Sequence, residues 1–185
     1  FCALLLLGWW AWTRAPRPIP AAHAQTAPKT ALWQPWRVSA FRRLLLVFVV
    51  SGIASAIPAT LVLFFVQDVL HAPAAQEPWF LATYFLCAAL SMPLWLRAVA
   101  RLGLARSWLA GMLLAVAAFA WTALLGAGDT AAFLVVCALS GAALGADLAL
   151  PPSLLADVIG RNGRMQGAGA YFGLWTLATK LNLAF

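Results

Sequence analysis

Eleven of the twelve Lys and Arg residues fall in alternate connections between long apolar stretches, and the intervening connections hold none. Arg14, Arg17, Lys29, Arg37, Arg42 and Arg43 precede the first complete apolar run. The next connection carries only Asp68, His71 and Glu77. Arg97, Arg101 and Arg106 follow, then Asp129 alone, then Arg161 and Arg164. Moving Lys or Arg across a bilayer is disfavoured, so membrane proteins keep them on the cytoplasmic side. A soluble fold has no physical reason to sort charge in this way. The chain therefore weaves through a membrane, and its remaining base, Lys180, is left inside it.

Composition agrees and removes other classes. Charged residues make up 9% of the chain, against roughly a quarter in a soluble domain. The net charge of +7 does not point to nucleic acid, because the bases sit in short loops without a shared aromatic-lined face. Topology and attraction to anionic headgroups account for it. Cys2, Cys87 and Cys137 lie in apolar runs and show no disulfide framework or metal-ligand spacing. His23 and His71 lie in connections, and neither a Ser/His/Asp set nor a carboxylate pair accompanies them. No catalytic residue, metal ligand or cofactor is expected, and the chain does not read as an enzyme.

The expected class is all-α, a polytopic transmembrane helix bundle. Phe1–Trp12 is apolar, but twelve residues reach only about 18 Å, short of a core of roughly 30 Å. It is therefore expected to be the end of a span. A signal-peptide core at this place would put Lys29, Arg37, Arg42 and Arg43 outside, against the charge bias. Residues 13–43, with Pro16, Pro18, Pro20, Pro28 and Pro35, read as a cytoplasmic linker. Residues 44–185 read as a bundle of four complete helices and one partial one, truncated at the chain end. The four are expected near 44–70 (kinked near Pro58), 79–98, 107–125 and 131–150, with Pro151-Pro152 bending or interrupting the last.

Lys180 is the residue that most needs an explanation. It stands thirteen positions beyond Gly167, roughly 20 Å along a helix entering from the cytoplasm. A charge near mid-membrane costs about 2.5–3.5 kcal/mol even on a lenient scale. A partner or a polar cavity would offset this, so Lys180 is either half of a structural ion pair or a coupling site for solute or cation. Asp147 is the expected companion, because it too lies thirteen residues from the inner end of its span, near Gly160. Asp157 is expected near the cytoplasmic surface, where it either forms a salt bridge with Arg161 or Arg164 or acts as a gate contact. Arg97, Arg101 and Arg106 form a short basic turn around Gly103 and join it as candidate cytoplasmic gate residues. Gly141 with Gly145, and Gly169 with Gly173, have the spacing that lets helix backbones approach.

With those residues in view, the chain resembles the C-terminal half of a major facilitator superfamily transporter. More narrowly it is similar to the glycoside–pentoside–hexuronide:cation symporter family, the melibiose-permease group. The resemblance rests on Gly145-Ala146-Asp147-Leu148-Ala149-Leu150-Pro151-Pro152-Ser153-Leu154-Leu155-Ala156-Asp157-Val158-Ile159 and on Gly167 through Trp175 to Thr179-Lys180. Gly52 to Thr60, Tyr84-Phe85-Leu86 and Ser91-Met92-Pro93-Leu94-Trp95 support it. It implies that Phe1–Trp12 ends helix six, that four complete helices are seven to ten, and that Gly167–Phe185 begins helix eleven. It further implies that Lys180 matches a helix-eleven Lys involved in sugar and cation coupling.

The segment Gly160 to Gln166 lacks the Asp-Tyr-Gly-Glu run of the melibiose permease, so that substrate does not carry over. The resemblance thus implies a cation-coupled symporter for a sugar or related small polar solute, with Na⁺ or H⁺ as coupling ion. Its partners would be the solute, the bilayer and an N-terminal half of the same protein, in a bacterial-type inner membrane. No nucleic acid is expected. Two alternatives stay open: a lysolipid or amphiphile carrier on the same scaffold, and a non-transporting membrane scaffold.

Overall fold

In an apolar solvent every backbone polar group must be satisfied within the chain, which leaves helices as the spanning form for a sequence without barrel periodicity. The computed structural model describes Trp33, residues 35–161 and residues 168–184. The Phe1–Trp12 run, the linker up to residue 32 and Arg164 lie outside the described residues. A 3-10 turn, Pro35–Arg37, leads into α1, Ser39–Phe64, which runs on through a π-helical turn, Phe65–Val69. Then come α2, Glu77–Leu102, α3, Leu104–Thr122, α4, Thr130–Arg161, and α5, Ala168–Ala184. There is no strand among the described residues. The first four helices are long and apolar enough to cross a membrane by length and composition.

Local chemistry sets the helix limits. Pro78 occupies the first turn of α2, where the missing N–H is no loss. The joint between α2 and α3 is the single residue Gly103, at φ 83° and ψ 164°, a conformation that is essentially open to Gly alone. α1 starts at Ser39, so Arg42 and Arg43 stand on its first turns. Phe41, just before them, is fully buried and anchors that end.

The expected bend or break at Pro151-Pro152 takes the milder form: α4 is one helix of 32 residues, about 48 Å long. Two consecutive residues there lack an N–H, which frees carbonyls one turn back. Packing against neighbouring helices sustains the helix through such places in membranes, and Pro151 is buried.

α4 forms the centre, with α2 and α3 packed along it. A Cβ placed on Gly141 would collide with the backbone carbonyl of Tyr84. One placed on Gly145 would meet the Ser91 hydroxyl and stand 2.7 Å from the Ala88 carbonyl. On the α3 side, a Cβ on Gly111 would come within 2.6 Å of the Ala146 methyl. Small residues thus set the spacing where lipid supplies no hydrophobic drive between helices.

Three apolar clusters follow the bundle from outside to inside. Val66, Leu70, Phe80, Phe133 and Val136 close the outer end. Trp108, Ala146 and Leu150 hold the next layer, with Leu44, Phe48, Trp95, Val99 and Leu104 packed on them. Phe41, Leu155, Ile159, Tyr171 and Trp175 tie α1, α4 and α5 together at the inner end. There Phe41 meets Tyr171 edge-on at 5.0 Å and Phe48 stacks on Trp175 at 4.1 Å.

Candidate transport site

The polar side chains within the spans fall into two groups. The first is built where α2, α3 and α4 meet. Trp108 Nε1, near the inner end of α3, donates to Asp147 Oδ1 on α4 at 2.8 Å. One turn earlier on α4, the Ala142 carbonyl accepts Trp95 Nε1 at 2.7 Å and the Ser91 hydroxyl at 3.2 Å. Two indoles from different helices thus hold α4 by directed bonds. Trp108 is buried and Asp147 is half-buried, so the carboxylate has one oxygen fixed while part of the side chain stays open.

Lys180 belongs to the second group. Tyr171, Trp175 and Ala178 are the buried face of α5. At 100° per residue, Gly169, Gly173, Thr176 and Lys180 fall together on the opposite face, and all four are exposed. Those four positions are small or polar, Leu183 lies beside Thr176 on the same face and is 83% exposed, and no described residue pairs with Lys180. Behind it, Asn182 Nδ2 reaches the Phe48 carbonyl at 3.4 Å. Its side chain occupies the space that a Cβ on Gly52 would need.

The structure does not bring Lys180 and Asp147 together. Asp147 bonds to Trp108 on α3, while Lys180 stands on the face of α5 opposite Tyr171, Trp175 and Ala178, the residues buried against α1 and α4. Equal counts from two inner ends speak to depth only and do not fix the direction in which each helix turns its side chain. The signal that identifies the true partner was present: Trp108 carries an indole N–H four residues into α3.

The remaining candidates are placed as follows. Asp157 pairs with Arg161 at 2.9 Å, an i,i+4 pair on the inner end of α4. Arg97, Arg101 and Arg106 are exposed and make no ion pair with a described residue. Gly169 and Gly173 have open space where a Cβ would stand, so of the four candidate packing glycines Gly141 and Gly145 meet another helix closely and these two do not. Sequence reasoning missed Ser91, Trp95 and Trp108 as helix-joining donors. No group of three or more potential metal ligands occurs among the described residues.

The sequence model of the family described as MFS/sugar transport protein matches residues 1–185. The chain belongs to this family. No curated protein and no solved structure matches it. As a multi-pass membrane protein of the MFS/sugar transport family, it carries its two mid-span charges in unlike settings. Asp147 is braced by an indole inside the bundle. Lys180 faces away from the helices described around it.

Proposed function

We propose that this chain is one half of a cation-coupled symporter for a sugar or a related small polar solute. It would be a C-terminal half related to the glycoside–pentoside–hexuronide:cation symporters, in a bacterial-type inner membrane. The observation that carries the reading is Lys180 on the Gly169–Gly173–Thr176 face, opposite the packed face of α5. Two such halves rocking about a midplane site give alternating access. Lys180 then lines the chamber, donating hydrogen bonds to solute oxygens and responding to the coupling ion's charge. Asp147, its carboxylate oriented by Trp108, serves as the second coupling residue, with Asp157 and the α2–α3 basic turn at the inner gate. The coupling ion, Na⁺ or H⁺, is carried between states rather than held as a resident cofactor.

Uptake of labelled sugars into vesicles holding the complete transporter tests this reading, with Na⁺ and H⁺ gradients imposed in turn. Accumulation that follows one gradient and collapses with it supports symport. Equal uptake with and without either gradient sinks the coupling, and no uptake of any sugar sinks the solute class.

A further inference from the structure

We propose that the inner half of α2 and the turn after it form a binding site for one anionic phospholipid of the cytoplasmic leaflet. The site is separate from the solute chamber. Leu86, Leu90, Leu94, Arg97 and Arg101 fall on one stripe of α2, within about 80° of arc. The three leucines are exposed at 60%, 65% and 60%, and the two arginines beyond them are exposed as well. Across Gly103, Arg106 adds a third guanidinium from the first turn of α3. From Leu86 to Arg97 the stripe runs about 16 Å, close to half of a hydrocarbon core of roughly 30 Å. Its length and order therefore match one phospholipid: acyl chain along the leucines, phosphate at the arginines.

The charge argument is independent of the stripe. No described acid pairs with Arg97, Arg101 or Arg106, since Asp157 is held by Arg161. Arg42 and Arg43 add to the excess, because Leu44 beside them packs in the same cluster as Val99 and Leu104. Arg106 also stands in the first turn of α3, which contains no acidic residue. A cation there is opposed by the helix dipole, and an external phosphate relieves it. Guanidinium groups take phosphate oxygens two at a time, which suits a headgroup held in place over one passing in solution.

The test uses the complete protein in vesicles of phosphatidylcholine alone or mixed with phosphatidylglycerol, and in detergent with inorganic phosphate as a separate arm. Each basic group near the surface contributes about fivefold, so three give on the order of a hundredfold preference for the anionic lipid. The expected result is a higher Tm with phosphatidylglycerol, lost in Arg97→Gln/Arg101→Gln/Arg106→Gln, and no response to inorganic phosphate. Native mass spectrometry of the unaltered protein covers a variant that misfolds: phosphatidylglycerol must be retained in preference to phosphatidylcholine. Equal retention of the two lipids, a triple variant that keeps its lipid response, or an equal rise in Tm with inorganic phosphate would overturn the proposal.

Discussion

Trp108 and Asp147 join α3 to α4 through one hydrogen bond, indole Nε1 to carboxylate Oδ1 at 2.8 Å. The bond gives a half-buried carboxylate a fixed donor where water is scarce, and it fixes which way Asp147 faces. Trp108→Phe keeps the ring's packing and removes the donor. A hydrogen bond to a charged group contributes about 1.5–3 kcal/mol, so thermal unfolding in detergent should show a loss of about 2 kcal/mol. Combining it with Asp147→Asn should recover part of that loss, because the stranded charge is gone. Fully additive losses would mean the two side chains act independently.

The glycines of α4 and α5 make a matched pair of experiments. Gly141→Ala must push against the Tyr84 backbone carbonyl, which no rotamer change relieves, and overpacking of this kind costs typically 1–3 kcal/mol. Gly173→Ala meets nothing within the described chain and should stay within about 1 kcal/mol of wild type. Thermal stability of the two variants, measured side by side, checks this. Equal destabilisation would show that Gly173 packs against another part of the protein.

Gly103 holds the α2–α3 joint at φ 83°. Gly103→Ala has open space for its methyl, so its penalty comes from the backbone alone, about 1–3 kcal/mol. A drop in Tm without change in the helical circular dichroism signal is the expected outcome. An unchanged Tm would mean that the joint relaxes freely.

Much of this architecture was legible in the order of charges. Alternating arginines located the connections, and Gly103 marked the turn because few residues other than glycine could close a one-residue joint there. The pairing of polar groups was less legible. Counting residues from the inner ends of α4 and α5 gives depth but not the direction in which a side chain leaves its helix, and Asp147 turns to Trp108 on α3. Proline reads as a helix breaker in water, where freed carbonyls find solvent. Within a bilayer the helix persists through packing against its neighbours, with Pro151 itself buried. Trp108 was hidden for a different reason: among ten tryptophans, interfacial anchoring and hydrogen bonding look the same in a list of residues.

Lys180 gives the sharpest trial of the whole account. The measurement is gradient-driven solute uptake by the complete transporter carrying Lys180→Ala, at matched expression and matched Tm. Because Lys180 has no described partner, the change should leave folding intact. Concentrative uptake should fall to background, and Lys180→Arg should restore only part of it, since the guanidinium keeps the charge but not the ammonium's compact shape. Wild-type accumulation by Lys180→Ala would contradict the central claim that this ammonium serves the transported solute and its coupling ion.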